Sequence, residues 1–167
     1  MKLKQLSLGL MFLMLIGGAS VEALEVGQTV PAFSLPTLKG NQATTLQQFA
    51  GKVIYLDFWA SWCAPCRVSF PLLNKLHQKL KAQGFEVIAI NLDEDASKAE
   101  QFLKDYPVEF TVLRDAEGGW ADKFAVESMP TSFIIDKHGV VQKIHSGFSS
   151  DDVKELEAKI TELLALK

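Results

Sequence analysis

The chain holds two cysteines in 167 residues, Cys63 and Cys66, with two residues between them. Thiols at this spacing close a small-ring disulfide. Such a ring does little for stability, because the loop-closure effect of a cross-link grows with loop length. The pair lies in Asp57-Phe58-Trp59-Ala60-Ser61-Trp62-Cys63-Ala64-Pro65-Cys66-Arg67-Val68-Ser69-Phe70-Pro71, after an apolar run and at the head of an amphipathic pattern. A thiol at the first turn of a helix gains thiolate character from the unpaired backbone N–H groups there. The predicted chemistry is thiol–disulfide exchange. Cys63 comes first and nearest the helix end, so it is the candidate nucleophile. Cys66, one turn further in, resolves the mixed disulfide that Cys63 forms. A structural zinc site takes four ligands, and His77, His138 and His145 show no ligand spacing to the pair. No metal and no cofactor beyond the cysteine pair is therefore expected.

The elements that must position the pair are legible on either side. Val53-Ile54-Tyr55-Leu56-Asp57-Phe58 is the apolar run of a central strand buried on both faces. A carboxylate inside it is conspicuous: burial without a partner raises its pKa and suits Asp57 to proton exchange near neutrality. From Ala64 to Gln83, Val68, Leu72, Leu73, Leu76 and Leu80 recur at helical spacing, with Pro71 inside the helix and Gly84 ending it. Phe85 to Leu92 is the next strand, parallel to the first across a right-handed βαβ unit. Upstream, residues 24 to 51 read as a β-hairpin and a short helical turn capped by Thr44 or Thr45. Downstream come a solvated acidic cap at Asp93-Glu94-Asp95, a helix from Ser97 to Tyr106, a strand from Val108 to Leu113 and a short helix from Trp120 to Phe124. A strand beginning at Ser132 then turns at Lys137-His138-Gly139 into an antiparallel return over Val140 to His145. The last helix is capped by Ser149 or Ser150 and runs through Leu166, its apolar stripe a core face rather than a partner surface. His138 and His145 read as solvated surface histidines.

At residue level the active stretch resembles the thioredoxin family: Asp57 six before the first cysteine, Trp59 and Trp62 between, a proline within the pair, and Pro71 five after Cys66. The N-terminal Val26-Gly27-Gln28-Thr29-Val30-Pro31-Ala32-Phe33-Ser34-Leu35 and the later Met129-Pro130-Thr131-Ser132-Phe133-Ile134-Ile135-Asp136 resemble its extracytoplasmic TlpA/ResA-like branch. The resemblance implies an α/β thioredoxin-like fold: a central mixed sheet flanked by helices, an N-terminal hairpin extension, and an insertion between the βαβ half and the closing hairpin. It implies that Asp57 accepts the proton of Cys66 and that the Met129–Pro130 peptide is cis and faces the disulfide. Met129 then offers its backbone to an incoming substrate strand, and the loop from Gly147 lines the same groove. Trp62, with Trp59, supplies an apolar docking face, although core packing alone would also explain Trp59. Members devoted to cytochrome maturation carry a glutamate three after the second cysteine and commonly asparagine six before the first. Ser69 and Asp57 stand there instead, which points to a broader reductase.

Lys2 and Lys4, the apolar run Leu6 to Ile16, and Val21-Glu22-Ala23 form the pattern of a signal peptide cleaved after Ala23. The alternative is an N-terminal membrane anchor, for which the run is short. The expected mature domain is 24–167, extracytoplasmic and monomeric. The chain has 17 basic and 20 acidic residues, a formal charge of −3 with no basic run, which excludes nucleic acid as partner. Expected partners are disulfide-containing substrate proteins and, by resemblance, a membrane dithiol electron donor. Three other functions stand beside protein disulfide reduction. One is a dithiol oxidant of folding proteins. Another is a thiol peroxidase, since Val26 to Phe33 also resembles the peroxiredoxin superfamily, although Ala60 occupies the position where its members carry Thr or Ser. The last is a binding or chaperone module with a structural disulfide.

Overall fold

In the computed structural model residues 23–166 are described. The signal peptide expected over residues 1–23 lies outside them except for Ala23. No helix among the described residues is long and apolar enough to cross a membrane.

Strand β3 (Val53–Trp59) is buried along its whole length. An apolar run of this kind is stable only when both faces are covered, and it occupies the middle of a five-stranded sheet. Beside it β4 (Phe85–Asn91) runs parallel, in register from Val53↔Phe85 to Trp59↔Asn91. On its other side β6 (Thr131–Ile135) runs antiparallel. β5 (Thr111–Arg114) and β7 (Val141–Ser146) complete the order β5-β4-β3-β6-β7. The sheet is thus mixed, as the resemblance implies. A separate hairpin pairs β1 (Ser34–Pro36) with β2 (Ala43–Thr45).

Alternation along β3 sorts its side chains into two layers. Val53, Tyr55 and Trp59 join Cys63 and Cys66 in a layer completed by α1 (Ala64–Leu80), α2 (Ala96–Asp105) and α4 (Asp152–Ala165). Ile54, Leu56 and Phe58 face the opposite layer with Phe33, Leu35 and the short α3 (Gly119–Lys123). α1 carries Phe70, Leu73, Leu76 and Leu80 inward at helical spacing and continues through Pro71, whose ring leaves the Arg67 carbonyl without its helical donor. A short 3₁₀ turn follows and closes on Gly84 at φ 97°, a left-handed position where glycine carries no steric penalty.

Several boundaries differ from the sequence expectation, each for a local reason. β5 begins at Thr111 rather than Val108. The Glu109 N–H is taken by Asn74 Oδ1 at 2.9 Å, and the Phe110 ring packs edge-on against Phe70 at 5.6 Å, so this segment turns into the helical layer instead of pairing with β4. Neither Ser149 nor Ser150 caps α4: the N-cap is Asp151, and the Asp152 carboxylate reaches back to accept the Ser149 N–H at 2.6 Å. Thr45 holds the N-cap position of the turn Leu46–Phe49 without a side-chain bond.

Beneath the cysteines lies an aromatic cluster. Trp59 packs at a tilt against Phe70 and Phe102 with centroids 4.5 and 4.8 Å apart, and Phe70 meets Phe102 edge-on at 5.0 Å. Phe70 is fully buried, so Phe70→Ala is expected to destabilise the disulfide form by about 3–5 kcal/mol, from lost transfer energy plus a cavity. Denaturant unfolding checks this, and a loss under about 1 kcal/mol would mean that the layer repacks around the gap.

Candidate active site

The turn between β3 and α1 carries the two sulfurs. Cys63 is the N-cap of α1 with extended backbone, and its Sγ accepts the Cys66 N–H at 3.2 Å. A cap acceptor satisfies one of the four N–H groups that a helix start leaves unpaired. Here that acceptor is sulfur. Cys63 and Cys66 are joined as a disulfide, with Cα atoms 5.3 Å apart. Pro65 stands in the first helical turn, where a missing N–H costs nothing. Cys66 is wholly covered and Cys63 is 3 % exposed, whereas Trp62 is 65 % exposed at the rim. The two tryptophans therefore divide: Trp62 stands out on the surface, and Trp59 belongs to the core beneath the pair. Ser69, where a glutamate would stand in cytochrome-maturation members, is buried and donates its hydroxyl to the Cys66 carbonyl at 3.2 Å.

Asp57 lies on the face of β3 that looks into the cysteine layer, between Tyr55 and Trp59 in the alternation. Its exposure is 1 %, and neither carboxylate oxygen has a hydrogen-bond partner among the described residues. Burial is the cause that lifts its carboxyl well above the ordinary value. Tyr55 next to it is raised as well, first by burial and then by the negative charge of Asp57, with the Ser132 hydroxyl acting the other way.

On the antiparallel side, Met129–Pro130 is a cis peptide, as the resemblance implies. Pro130 is buried and Met129 half-buried, and Met129 and Phe148 both pack against the layer that holds the cysteines. Gly147, at φ 81°, donates its N–H to the Pro130 carbonyl at 2.8 Å. The structure thus brings Met129, Pro130 and Gly147 into one corner.

One clamp escaped the sequence expectation. Asp93 is not a solvated cap residue but 4 % exposed, and it grips the turn before the cysteines. Its carboxylate accepts the Ser61 N–H and the Ser61 hydroxyl, each at 2.9 Å, and the Asn91 side-chain amide at 2.8 Å. The Cys63 N–H closes on the Ala60 carbonyl at 3.1 Å and the Leu92 N–H on that of Trp59 at 3.0 Å. The signal was available in Asn91-x-Asp93 at the end of β4: parallel strands bring their carboxyl ends, and the loops that follow them, to one edge. The histidines go elsewhere. His77 is buried 3.0 Å from Glu86, and His145 is not a free surface group but stands 3.3 Å from Asp152 at the start of α4.

Comparison with known proteins agrees with this geometry. The Redoxin family profile matches residues 25–160. Thiol-disulfide oxidoreductase ResA of Bacillus thuringiensis subsp. konkukian is 37 % identical over 141 residues, covering 84 % of this chain and 81 % of the relative. Thioredoxin-like protein YneN of Bacillus subtilis is 37 % identical over 172 residues, covering 95 % of this chain and 98 % of its own. A crystal structure from Chlorobium tepidum, described as a thiol:disulfide interchange protein DsbE, superposes with TM-score 0.82 at 45 % identity, over 86 % of this chain and 100 % of that one.

The buried carboxyl gives stability a pH dependence of definite sign. With its pKa raised in the folded state, Asp57 keeps a proton that the unfolded chain releases above about pH 3.9. Stability therefore falls as pH climbs from that value to the folded pKa, then levels off. Asp57→Asn removes the effect. In denaturant unfolding of the disulfide form, the variant's advantage over wild type should be smallest near pH 4 and widen toward neutrality. An advantage independent of pH would show that this carboxyl ionises as freely in the fold as in water.

Proposed function

Because the chain belongs to the Redoxin family and is a thiol-disulfide oxidoreductase of thioredoxin fold, we propose that it acts as an extracytoplasmic reductase of protein disulfides. The observation that supports this best is the pairing of unlike sulfurs. Cys63 sits at the helix mouth with a backbone N–H directed at it, and Cys66 lies covered behind it in a layer that also receives an unpaired carboxyl.

In the reaction the Cys63 thiolate attacks one sulfur of a substrate disulfide. That S–S bond breaks, a Cys63–substrate disulfide forms, and the departing substrate sulfur takes up a proton. Cys66 then loses its proton to Asp57 and attacks Cys63 Sγ. The Cys63–Cys66 bond closes and the second substrate sulfur leaves as a thiol. Two electrons have passed from the enzyme dithiol to the substrate, and a dithiol donor must return them before the next turn. A buried carboxylate suits the second step, because it is basic enough to take a thiol proton only where water does not stabilise its charge. Met129, Pro130 and Gly147 form the corner where a substrate strand lies along the backbone, and Trp62, the residue before Cys63, supplies exposed apolar surface. The pattern over residues 1–23 supports export, either with cleavage after Ala23 or with retention as an anchor. Peroxide reduction has less support: at the position where a peroxiredoxin carries a hydroxyl, Ala60 is fully buried and offers the Cys63 N–H only its carbonyl.

Insulin reduction with dithiothreitol as donor tests the assignment. Wild type is expected to turn over, Cys63→Ser to lose turnover entirely, and Cys66→Ser to accumulate the mixed disulfide. Asp57→Asn is expected to slow its resolution about a hundredfold, the scale of a positioned general base. Turnover by Cys63→Ser at the wild-type rate would overturn the assignment. Direction is read separately. In a glutathione redox buffer a reductase stands mostly as its disulfide, and a protein found mostly as dithiol would be an oxidant.

A further inference from the structure

The chain carries more acidic than basic residues, 20 against 17, yet the side chains lining a cleft near its disulfide count two cations to one carboxylate. A cleft of about 310 Å³ opens between the active-site turn and α2. Ser61, two residues before Cys63, and Arg67, directly after Cys66, form its near wall; Lys98, Gln101, Asp105 and Tyr106 form the far one. Arg67 and Lys98 are exposed and, like Lys39, Lys75, Lys104, Lys123 and Lys154, enter no ion pair among the described residues. The one carboxylate of the cleft, on Asp105, accepts the Gln101 amide at 3.3 Å. The cleft's own side chains are thus two cations to one anion, with the Asp93 carboxylate behind Ser61 engaged by its N–H and hydroxyl and Asp95 near Lys98 on the far wall.

We propose that this cleft receives a carboxylate carried by the disulfide substrate, so that the enzyme favours disulfides with an acidic group close to the attacked sulfur. The inference rests on the disulfide-exchange activity proposed above and adds a substrate class to it. A guanidinium offers two parallel N–H donors at the spacing of carboxylate oxygens, and Arg67, the residue after Cys66, brings one to the cleft. Lys98 adds a point charge from the facing wall. An extended strand advances about 3.3 Å per residue, so an acidic residue within a few positions of the substrate cysteine reaches the cleft. The groups are exposed, which keeps the preference modest and salt-sensitive. A carboxylate could come from an acidic side chain of a protein or from a small disulfide such as oxidised glutathione.

The test uses the full domain with two disulfide peptides identical except for Glu or Gln next to one cysteine, and oxidised glutathione as a third substrate. For wild type at low ionic strength, kcat/KM for the Glu peptide should exceed that for the Gln peptide about fivefold. The ratio should fall toward unity in Arg67→Gln/Lys98→Gln and stay at the wild-type value in Lys75→Gln, a control on an exposed cation further along α1. A fall confined to the peptide ratio assigns the carboxylate to protein substrates. A fall confined to glutathione assigns it to a small disulfide, and either result upholds the cleft as a carboxylate site. Equal rates on both peptides, with glutathione turnover indifferent to the double substitution, would overturn the cleft while leaving disulfide reduction intact. Failure of wild type to reduce any of the three would remove the underlying activity, and the cleft proposal with it.

Discussion

The site depends on one weak contact, a backbone N–H at the head of α1 directed at a sulfur atom. Helix starts leave N–H groups unpaired, and proteins usually meet them with Ser, Thr, Asp or Asn. Using Cys63 in that position ties the fold's own capping requirement to the reactivity of a thiol. The contact forms only because the helix begins at a fixed point. β3 delivers the chain to the sheet edge, the parallel register with β4 brings Asn91 and Asp93 to the same edge, and Asp93 grips Ser61 by both its N–H and its hydroxyl. Two strands, one turn and one buried carboxylate thus place the sulfur.

Of the buried carboxylates near this edge, Asp93 and Asp57 are handled in opposite ways. Asp93 is met by three donors, so its burial serves structure. Asp57 is met by none among the described residues. An unpaired polar group in a strand with every residue buried is destabilising, and a leucine or valine there would pack without that cost. The two large apolar layers on either side of β3 offset it. A group kept against the interest of stability, on the face that carries both cysteines, is where a proton-handling role is looked for.

The sequence made most of this legible where a signal is periodic or local. The apolar run of β3, the helical spacing of Leu73, Leu76 and Leu80, the turn glycines and the paired cysteines each report on themselves, and the parallel pairing of β3 with β4 follows from the rule of βαβ connection. Val68, counted inward by the same spacing, is exposed. Asp57 was legible as an anomaly within its run. What was not legible depended on partners far away in the chain. The Asn91-x-Asp93 spacing marks Asp93 apart from Glu94 and Asp95 only once the parallel strand ends are known to meet at one edge. The late start of β5 depends on Asn74, 35 residues before its partner Glu109, and on Phe70, still further upstream. The α4 cap reversed direction because Asp152 reaches back to the Ser149 N–H and toward His145, a pairing of two elements that spacing does not encode.

The central claim is that the two sulfurs are unequal: Cys63, at the helix mouth, is the nucleophile, and Cys66, covered behind it, is not. Alkylating the fully reduced protein at neutral pH with a limiting amount of iodoacetamide, and locating the label by peptide mass, tests this directly. The account predicts that Cys63 is modified at least about tenfold faster than Cys66. Equal labelling of the two, or faster labelling of Cys66, would contradict it.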